Sequence, residues 1–223
     1  MGIMSFMVYV KQIITLKKIL RYITFACVPA LLFYAISLLG LSSFGFGIIE
    51  ILRDPAQQSG QSSFLGFLSN IGVSLWISSA AICFFSALTY KVIDDGGHKE
   101  LLLLVGILSI VLSIDDFFMI HDNYIGQEPC YLAYAFVAGA LLVRHFKRIM
   151  EIDGFSFLGA GLLLALSILT DLIQGDIPLR YVYTQVIEEG FKFVGGATWF
   201  YFSFCIASFH PLRSKEETMR TNS

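Results

Sequence analysis

Seven polar or charged residues interrupt stretches that are otherwise apolar, and their types are suited to acid–base or cation chemistry. They are Asn70, Asp115, Asp116, Asp171, Glu188, Glu189 and Lys192. An ionisable side chain near the centre of a membrane helix costs about 2.5–3.5 kcal/mol on insertion scales, so such a residue indicates a functional site when it occurs. The sequence therefore predicts one polar site built from several helices.

The cluster would combine several carboxylates with one ammonium group, and this combination suits binding of a proton or a cation. Repulsion between buried carboxylates favours an added proton or cation, whereas a nearby lysine keeps one carboxylate ionised. Asp116 and Glu188 are our candidate catalytic acid and base residues. The other candidates are binding residues: Asn70, Asp115, Asp171, Glu189 and Lys192.

The cofactor is left open by the sequence, although a divalent cation fits the residue types. Carboxylate and amide oxygens suit Mg²⁺, Ca²⁺ or Mn²⁺. His121, in the segment that follows Asp116, would add a nitrogen ligand and favour iron. The alternative interpretation is that His121 is a solvated loop residue.

Helical spacing predicts which of the two adjacent aspartates faces the interior. Ser109, Ser113 and Asp116 share one helical face, whereas Asp115 shares its face with Leu112. We therefore expect Asp116 to point into the site. A simpler alternative is that the charged residues form ion pairs that only hold the helices together.

The residues at the start of the last apolar segment combine charge with close helix packing. Glu188 and Lys192 are four residues apart, in the order that favours an attractive pair on a helix. Gly195 and Gly196 follow, and small residues allow two helices to approach closely in a membrane.

The composition places these residues in a membrane protein. Of the 223 residues, 56% are hydrophobic and 14% are charged, against about 45–50% and about 25% in ordinary soluble domains. Mean hydropathy is +0.73. The net charge of −2 argues against a strongly basic nucleic-acid-binding protein, and the four isolated cysteines do not have the spacing of a zinc finger.

Apolar stretches of about 18 residues or more predict an all-α bundle of six transmembrane helices. Residues 1–19 are predicted to form a cytoplasmic interfacial helix, 20–209 the membrane domain and 210–223 a cytoplasmic polar tail. The predicted spans are approximately 20–41, 64–89, 101–120, 130–147, 155–175 and 185–209.

The distribution of basic residues predicts the orientation of the bundle. Twelve of the 15 Lys and Arg residues lie at the termini and in the second and fourth connections, and two lie in the alternate connections. The positive-inside rule therefore places both termini in the cytoplasm, and we expect the plasma (inner) membrane. The polar residues then lie within roughly 5–10 Å of the outer boundary. We expect spans two, three, five and six to surround them, with spans one and four as lipid-facing supports.

Short segments resemble three families of membrane proteins. Ser69-Asn70 and Asp115-Asp116 with a following Met119 resemble alkaline-ceramidase-like hydrolases, which implies a zinc-dependent lipid amidase, but this sequence lacks the histidine pair of their last span. The segment from Glu188 to Lys192 resembles glutamate-dependent membrane proteases and the Schiff-base segment of microbial rhodopsins. The sequence is assigned to none of these families.

Two classes of function remain, and a third is less favoured. The first is a membrane-embedded hydrolase or metal-dependent enzyme that acts on a lipid or small amphiphile. The second is a transport or sensing protein that binds a proton or cation, and the third is an accessory subunit of a membrane complex. The expected partners are the lipid bilayer and a lipid or amphiphilic ligand, and we expect no nucleic acid.

Overall fold

The computed structural model describes most of the chain and divides it into two compact units, Met1–Leu65 and Gly66–Ser223. The described residues are 28–52, 55–62, 64–89, 97–175 and 180–209, with Leu20, Thr24 and Pro178. The predicted interfacial segment 1–19 and polar tail 210–223 lie outside the described residues.

The first unit contains three described helices, α1 (Val28–Ser43), α2 (Ile48–Leu52) and α3 (Pro55–Gln58). The turn after α1 uses Gly45 at φ +95°, a conformation that glycine adopts without a steric penalty. The Glu50 carboxylate then accepts a hydrogen bond of 2.7 Å from the Gly47 amide at the start of α2. Helix α1 covers the second half of the first predicted span.

The described residues of the second unit form five helices: α4 (Phe67–Thr89), α5 (Gly97–Phe118), the short α6 (Ile120–Asn123), α7 (Gln127–Ile173) and α8 (Tyr181–Ser208). The part of the chain that the structure describes has no strand, which confirms the all-α class. Among the described residues, three helices are long and apolar enough to cross a membrane, α4, α5 and α7. The count of six spans stays a prediction.

Helix α7 is formally continuous over 47 residues but folds back on itself. Straight, it would be about 70 Å long. Its backbone leaves helical geometry at His145 and Asp153, and the Tyr131 hydroxyl lies 3.1 Å from an Asp171 carboxylate oxygen 40 residues later. Residues 127–144, the first arm, and 154–173, the second arm, therefore run antiparallel, close to the two spans predicted there.

A local hydrogen-bond pattern begins the second arm of α7. The Asp153 carboxylate accepts hydrogen bonds from the Ser156 amide at 3.0 Å and from the Ser156 hydroxyl at 2.7 Å. These are the contacts of a helix N-cap, which satisfies an amide that the first turn leaves without an intrahelical partner. The break in α7 is therefore encoded at Asp153.

The ends of these helices form two different environments. The core end, where α4 and α8 finish and α5 begins, is packed with fully buried side chains, among them Leu101, Leu102, Ile149, Phe202 and Ile206. The site end is the opposite end, where α5 finishes and α8 begins.

Glycine allows two of the closest helix contacts in the second unit. A Cβ atom at Gly195 would lie 3.0 Å from Leu164 of the second α7 arm, and one at Gly106 would lie 2.8 Å from the Phe84 ring. The close approach at Gly195 agrees with the packing role that the sequence suggested for the Gly195-Gly196 pair.

Candidate functional site

A cavity of about 390 Å³ lies at the site end, between α4, α5, both arms of α7 and α8. A pocket of this volume is large enough for a small ligand. Its acidic and basic lining residues come from α5 to α8 and are Asp115, Asp116, His121, Asp122, Asp171, Glu188, Glu189 and Lys192. The predicted polar residues other than Asn70 therefore do meet at one place.

Asp116 joins three helices through its two carboxylate oxygens. The Lys192 ammonium of α8 lies 2.8 Å from Oδ1, and the Trp76 indole Nε1–H of α4 donates to Oδ2 at 3.0 Å. The side chain of Asp116 is 12% exposed, and that of Lys192 is 34% exposed. The ion pair is thus largely removed from solvent, where charge–charge attraction is stronger than in water.

Asp115 holds His121 through two contacts. Its Oδ1 accepts the His121 backbone N–H at 2.9 Å, and its Oδ2 lies 2.8 Å from His121 Nδ1. Met119 makes this return possible, because it follows the end of α5 with a left-handed backbone (φ 50°, ψ 47°). Both Asp115 and His121 are buried.

The contact with Asp115 fixes the orientation of the His121 ring. Because a carboxylate is an acceptor, it favours the tautomer with the proton on Nδ1 and leaves Nε2 as the basic nitrogen. Nε2 lies 3.4 Å from an oxygen of Asp122, whose side chain is 45% exposed. The Tyr131 ring packs at a centroid distance of 5.7 Å on the imidazole.

A chain of hydrogen bonds connects the two arms of α7 with α8. Asp171 accepts from the Tyr131 hydroxyl at 3.1 Å and from Gln174 Nε2 at 2.7 Å. Gln185 Nε2 then donates to Gln174 Oε1 at 3.2 Å and to Glu188 Oε2 at 2.7 Å. Asp171 and Glu188 therefore receive these hydrogen bonds from neutral donors, in contrast to Asp116.

The structure differs from the sequence prediction at Asn70. Its side chain is exposed and does not line the cavity, whereas the adjacent Ser69 does. Neighbouring residues on an α-helix point about 100° apart, so an error of one position changes the face.

Asp115 and Lys192 also differ from their expected arrangement. Asp115 was predicted as a binding residue, with Asp116 as the better candidate to face the interior, and Asp115 is 4% exposed and lines the cavity together with Asp116. Helices α4, α7 and α8 all contact α5. Lys192 pairs across helices with Asp116 rather than along α8 with Glu188.

The fourth predicted span is part of the site and not only a support. The first arm of α7 contributes Gln127, Tyr131 and Tyr134 to the cavity lining. Tyr131 and Tyr134 are three residues apart, near the predicted outer end of this span. That spacing puts both hydroxyl groups on one face of the helix and could have identified them as site residues.

Trp76 and Gln185 are two further site residues that the sequence analysis missed. A buried tryptophan needs a partner for its indole N–H, which is a signal for Trp76 once the helix is known to be packed. Gln185 lies one helical turn before Glu188, and that spacing is a signal for their contact.

Asp115, Asp116 and His121 are close enough to hold one metal ion, since each offers a ligand atom within 4.8 Å of the other two. Two carboxylates and an imidazole suit Mn²⁺ or iron. However, all four carboxylate oxygens already contact donors of the protein, on Lys192, Trp76 and His121. A metal would have to displace some of these donors. Without a metal, each carboxylate oxygen of Asp115 and Asp116 already has a hydrogen-bond or ion-pair partner in the protein.

A protein-family model matches most of the chain. The family model described as Domain of unknown function (DUF8692) matches residues 20–206. Neither the curated proteins nor the solved structures gave a match. The matched range contains every residue of the cavity.

Proposed function

We propose that this chain, which belongs to the DUF8692 family, is a membrane-embedded hydrolase that acts on a lipid or small amphiphile. The observation that carries the proposal is the Asp115–His121 pair at the edge of a ligand-sized cavity. An oriented imidazole with a basic nitrogen is the group that most often removes a proton in hydrolytic sites.

In the proposed membrane arrangement six helices cross the bilayer. Helices α4 and α5, the two arms of α7 and α8 account for five spans, and the apolar segment that includes α1 is the sixth. Large apolar side chains support lipid exposure of the second unit, since Leu88, Phe136 and Phe155 are between 76% and 88% exposed. The distribution of basic residues then puts both termini in the cytoplasm and the cavity on the outer side.

In the proposed reaction, His121 Nε2 takes a proton from water while the resulting hydroxide adds to the carbonyl carbon of an ester or amide. Asp115 holds the Nδ1 proton and stabilises the imidazolium that forms. As the carbonyl bond re-forms, the bond from the carbonyl carbon to the leaving group breaks, and the proton on Nε2 passes to the oxygen or nitrogen of that group. His121 thus takes the role of base that the sequence analysis gave to Asp116 and Glu188.

Lys192 is the proposed electrophilic group. Its ammonium has three N–H donors, and one of them points to Asp116 at 2.8 Å. The others are available to the oxygen that becomes negative when hydroxide adds to the carbonyl. Asp116 and Trp76 are then positioning residues for the reaction, because Asp116 holds the ammonium and Trp76 holds Asp116, and both act on the carbonyl through Lys192.

The test is hydrolysis of chromogenic esters and amides with alkyl chains by protein purified in detergent. His121→Asn is expected to lower kcat by about 10²–10⁴-fold, the usual contribution of a general base. Glu128→Gln is the matched control, because Glu128 is an exposed acid in the same segment, and it should keep the wild-type rate. An inactive wild type, or an active His121→Asn variant, would refute the proposal.

A metal-dependent enzyme or a cation-binding protein is the second candidate, and the proximity of Asp115, Asp116 and His121 favours it. Metal analysis of the purified protein beside the Asp116→Asn variant separates the two. Stoichiometric metal that is lost in Asp116→Asn would favour this candidate, whereas metal-free protein that hydrolyses the esters would favour the acid–base route. Transport is opposed by the packed core end, where Leu101, Leu102 and Phe202 are fully buried.

A further inference from the structure

A second, much smaller space adjoins the cavity between α4 and α8. It measures about 20 Å³, and its apolar wall is formed by Leu68, Gly72, Phe193 and Gly196. We call this space the notch. A space of this volume holds only a few atoms, so we expect it to take a short length of an unbranched chain and not a ring.

The notch and the cavity meet at the Asp116–Lys192 pair. Both spaces are lined by Trp76, Asp116, Glu189 and Lys192. Leu68, which also lines the notch, is 61% exposed. A polar chamber and an apolar lateral passage therefore share one boundary, which is the arrangement expected for a molecule with a polar head and an apolar chain.

The charges of the cavity indicate the sign of the head group. The lining contains six carboxylates against one lysine and one histidine. Lys192 compensates Asp116, and His121 contacts Asp115. Asp171 and Glu188 are contacted by the neutral groups of Tyr131, Gln174 and Gln185, so their side of the cavity is complementary to a cation.

We propose that the ligand is a single-chain cationic amphiphile, with its amine or ammonium head between Asp171 and Glu188 and its alkyl chain leaving the cavity through the notch. The Tyr131 ring adds an aromatic surface on which a cationic head can pack. The inference rests on the proposed function in one respect, that the cavity receives an amphiphile, and it adds the charge of the head and the route of the chain.

Two glycines provide a matched pair of variants for the notch. A Cβ atom at Gly72 or at Gly161 would have no other atom within 4 Å, so leucine can be accommodated at either position. Gly72 lines the notch, whereas Gly161 lies in the second arm of α7, outside both spaces. Gly72→Leu should fill the passage, and Gly161→Leu should leave it open.

Trp76 can report binding directly. The chain has two tryptophans, and in a Trp199→Phe background the remaining Trp76 borders both spaces. The probes are two spin-labelled C18 amphiphiles that differ only in the head, trimethylammonium or carboxylate, added to protein in phosphatidylcholine nanodiscs. Each probe quenches Trp76 fluorescence when its chain occupies the notch.

The expected result is saturable quenching by the ammonium probe, with an apparent Kd at least about tenfold below that of the carboxylate probe, since like charges repel in the cavity. Gly72→Leu should raise the Kd of the ammonium probe about tenfold or more, and Gly161→Leu should not change it. Glu188→Gln should weaken the ammonium probe selectively. Circular dichroism and thermal unfolding of each variant verify that it is folded.

Equal affinity for the two heads, or a Gly72→Leu variant that binds like Gly161→Leu, would overturn the inference. Failure of the hydrolase proposal gives a different result, because binding is measured without turnover. If the protein binds the ammonium probe but cleaves no ester or amide, the inference is supported and the hydrolase proposal is refuted. A protein that cleaves esters without preference for a cationic chain loses only the inference.

Discussion

The same helices form two different ends of the second unit, one packed with apolar side chains and the other containing a polar cavity. Helix α5 shows the contrast within one element, because it begins with the fully buried Leu101 and Leu102 and ends with Asp115 and Asp116 at the cavity. At the core end, close packing of apolar side chains stabilises the helices. At the site end, charged and polar side chains leave a cavity open between the same helices.

Two ion pairs between helices, both formed by described residues, repeat this contrast. Asp116–Lys192 lies at the site end with side chains 12% and 34% exposed, whereas Glu100–Arg144 lies at the core end with side chains 40% and 64% exposed. Solvent screens an exposed pair but only weakly screens a buried one. We therefore expect the Asp116–Lys192 pair to contribute to the free energy of unfolding, and we expect little contribution from the Glu100–Arg144 pair.

Removing a large side chain from the core end should have the largest effect on stability. Phe202 is fully buried and packs against Phe157 and Trp199. We expect Phe202→Ala to lower the free energy of unfolding in detergent micelles by about 3–5 kcal/mol, from lost burial and the void it leaves. Phe204→Ala is the control on the same helix, because Phe204 is 54% exposed.

A small effect of Phe202→Ala, similar to that of Phe204→Ala, would show that the core end is not the stabilising region. Binding of the ammonium probe tests whether the core end affects the site end. If the two ends are separate in function, folded Phe202→Ala protein should retain the probe affinity of the wild type.

Neutralising the lysine at the site end should have the next largest effect. Removing one partner of a buried pair costs about 3–5 kcal/mol, and the partial exposure of Lys192 reduces our expectation for Lys192→Met to about 2–3 kcal/mol. Arg144→Met, at the exposed pair, should change the free energy of unfolding little. The measurement is chemical unfolding of the two variants in the same micelles.

A double-mutant cycle identifies the partner of Lys192. Asp116→Asn and Lys192→Met should be non-additive, because the side chains are in contact. Glu188→Gln and Lys192→Met should be closer to additive, since Glu188 contacts Gln185 instead. Equal loss on Lys192→Met and Arg144→Met, or coupling of Lys192 to Glu188 alone, would contradict the geometry of the site end.

Much of the fold was predictable because the length of an apolar run is a local property. The predicted segments 64–89 and 101–120 correspond to Phe67–Thr89 and Gly97–Phe118, and the predicted gap between 147 and 155 contains the break at Asp153. Backbone hydrogen bonds in an apolar environment have to be satisfied within the segment, which leaves helices as the structure for such runs.

The site was predictable in its residue types but not in its contacts. Asp116 and Lys192 meet because of the relative rotation of α5 and α8, which neither segment encodes alone. His121 was open to interpretation as a loop residue, because no sequence signal shows that Met119 adopts a left-handed backbone and returns the chain to Asp115. The first arm of α7 was predicted to be a lipid-facing support, and its Tyr131 and Tyr134, which line the cavity, were not among the candidate residues.

The smallest of the predicted effects compares the two tryptophans. Both are buried, with Trp76 3% and Trp199 4% exposed, but Trp76 donates to the charged Asp116 and Trp199 to the neutral Ser109 hydroxyl. Hydrogen bonds to charged groups contribute about 1.5–3 kcal/mol, and neutral ones about 0.5–1.5 kcal/mol. We expect Trp76→Phe to cost about 2 kcal/mol and Trp199→Phe about 1 kcal/mol of unfolding free energy.

The measurement is again unfolding in micelles, and the prediction is that Trp76→Phe lowers the free energy of unfolding more than Trp199→Phe does. Phenylalanine keeps most of the apolar contact at either position, so the difference isolates the indole N–H. Ser109 retains its own hydrogen bond to the Val105 carbonyl after Trp199→Phe, whereas Asp116 keeps only the Lys192 ammonium of its two contacts after Trp76→Phe. A larger loss at Trp199 would mean that water in the cavity replaces the indole at Asp116, and the Asp116–Lys192 pair would then be solvated more than its exposure indicates.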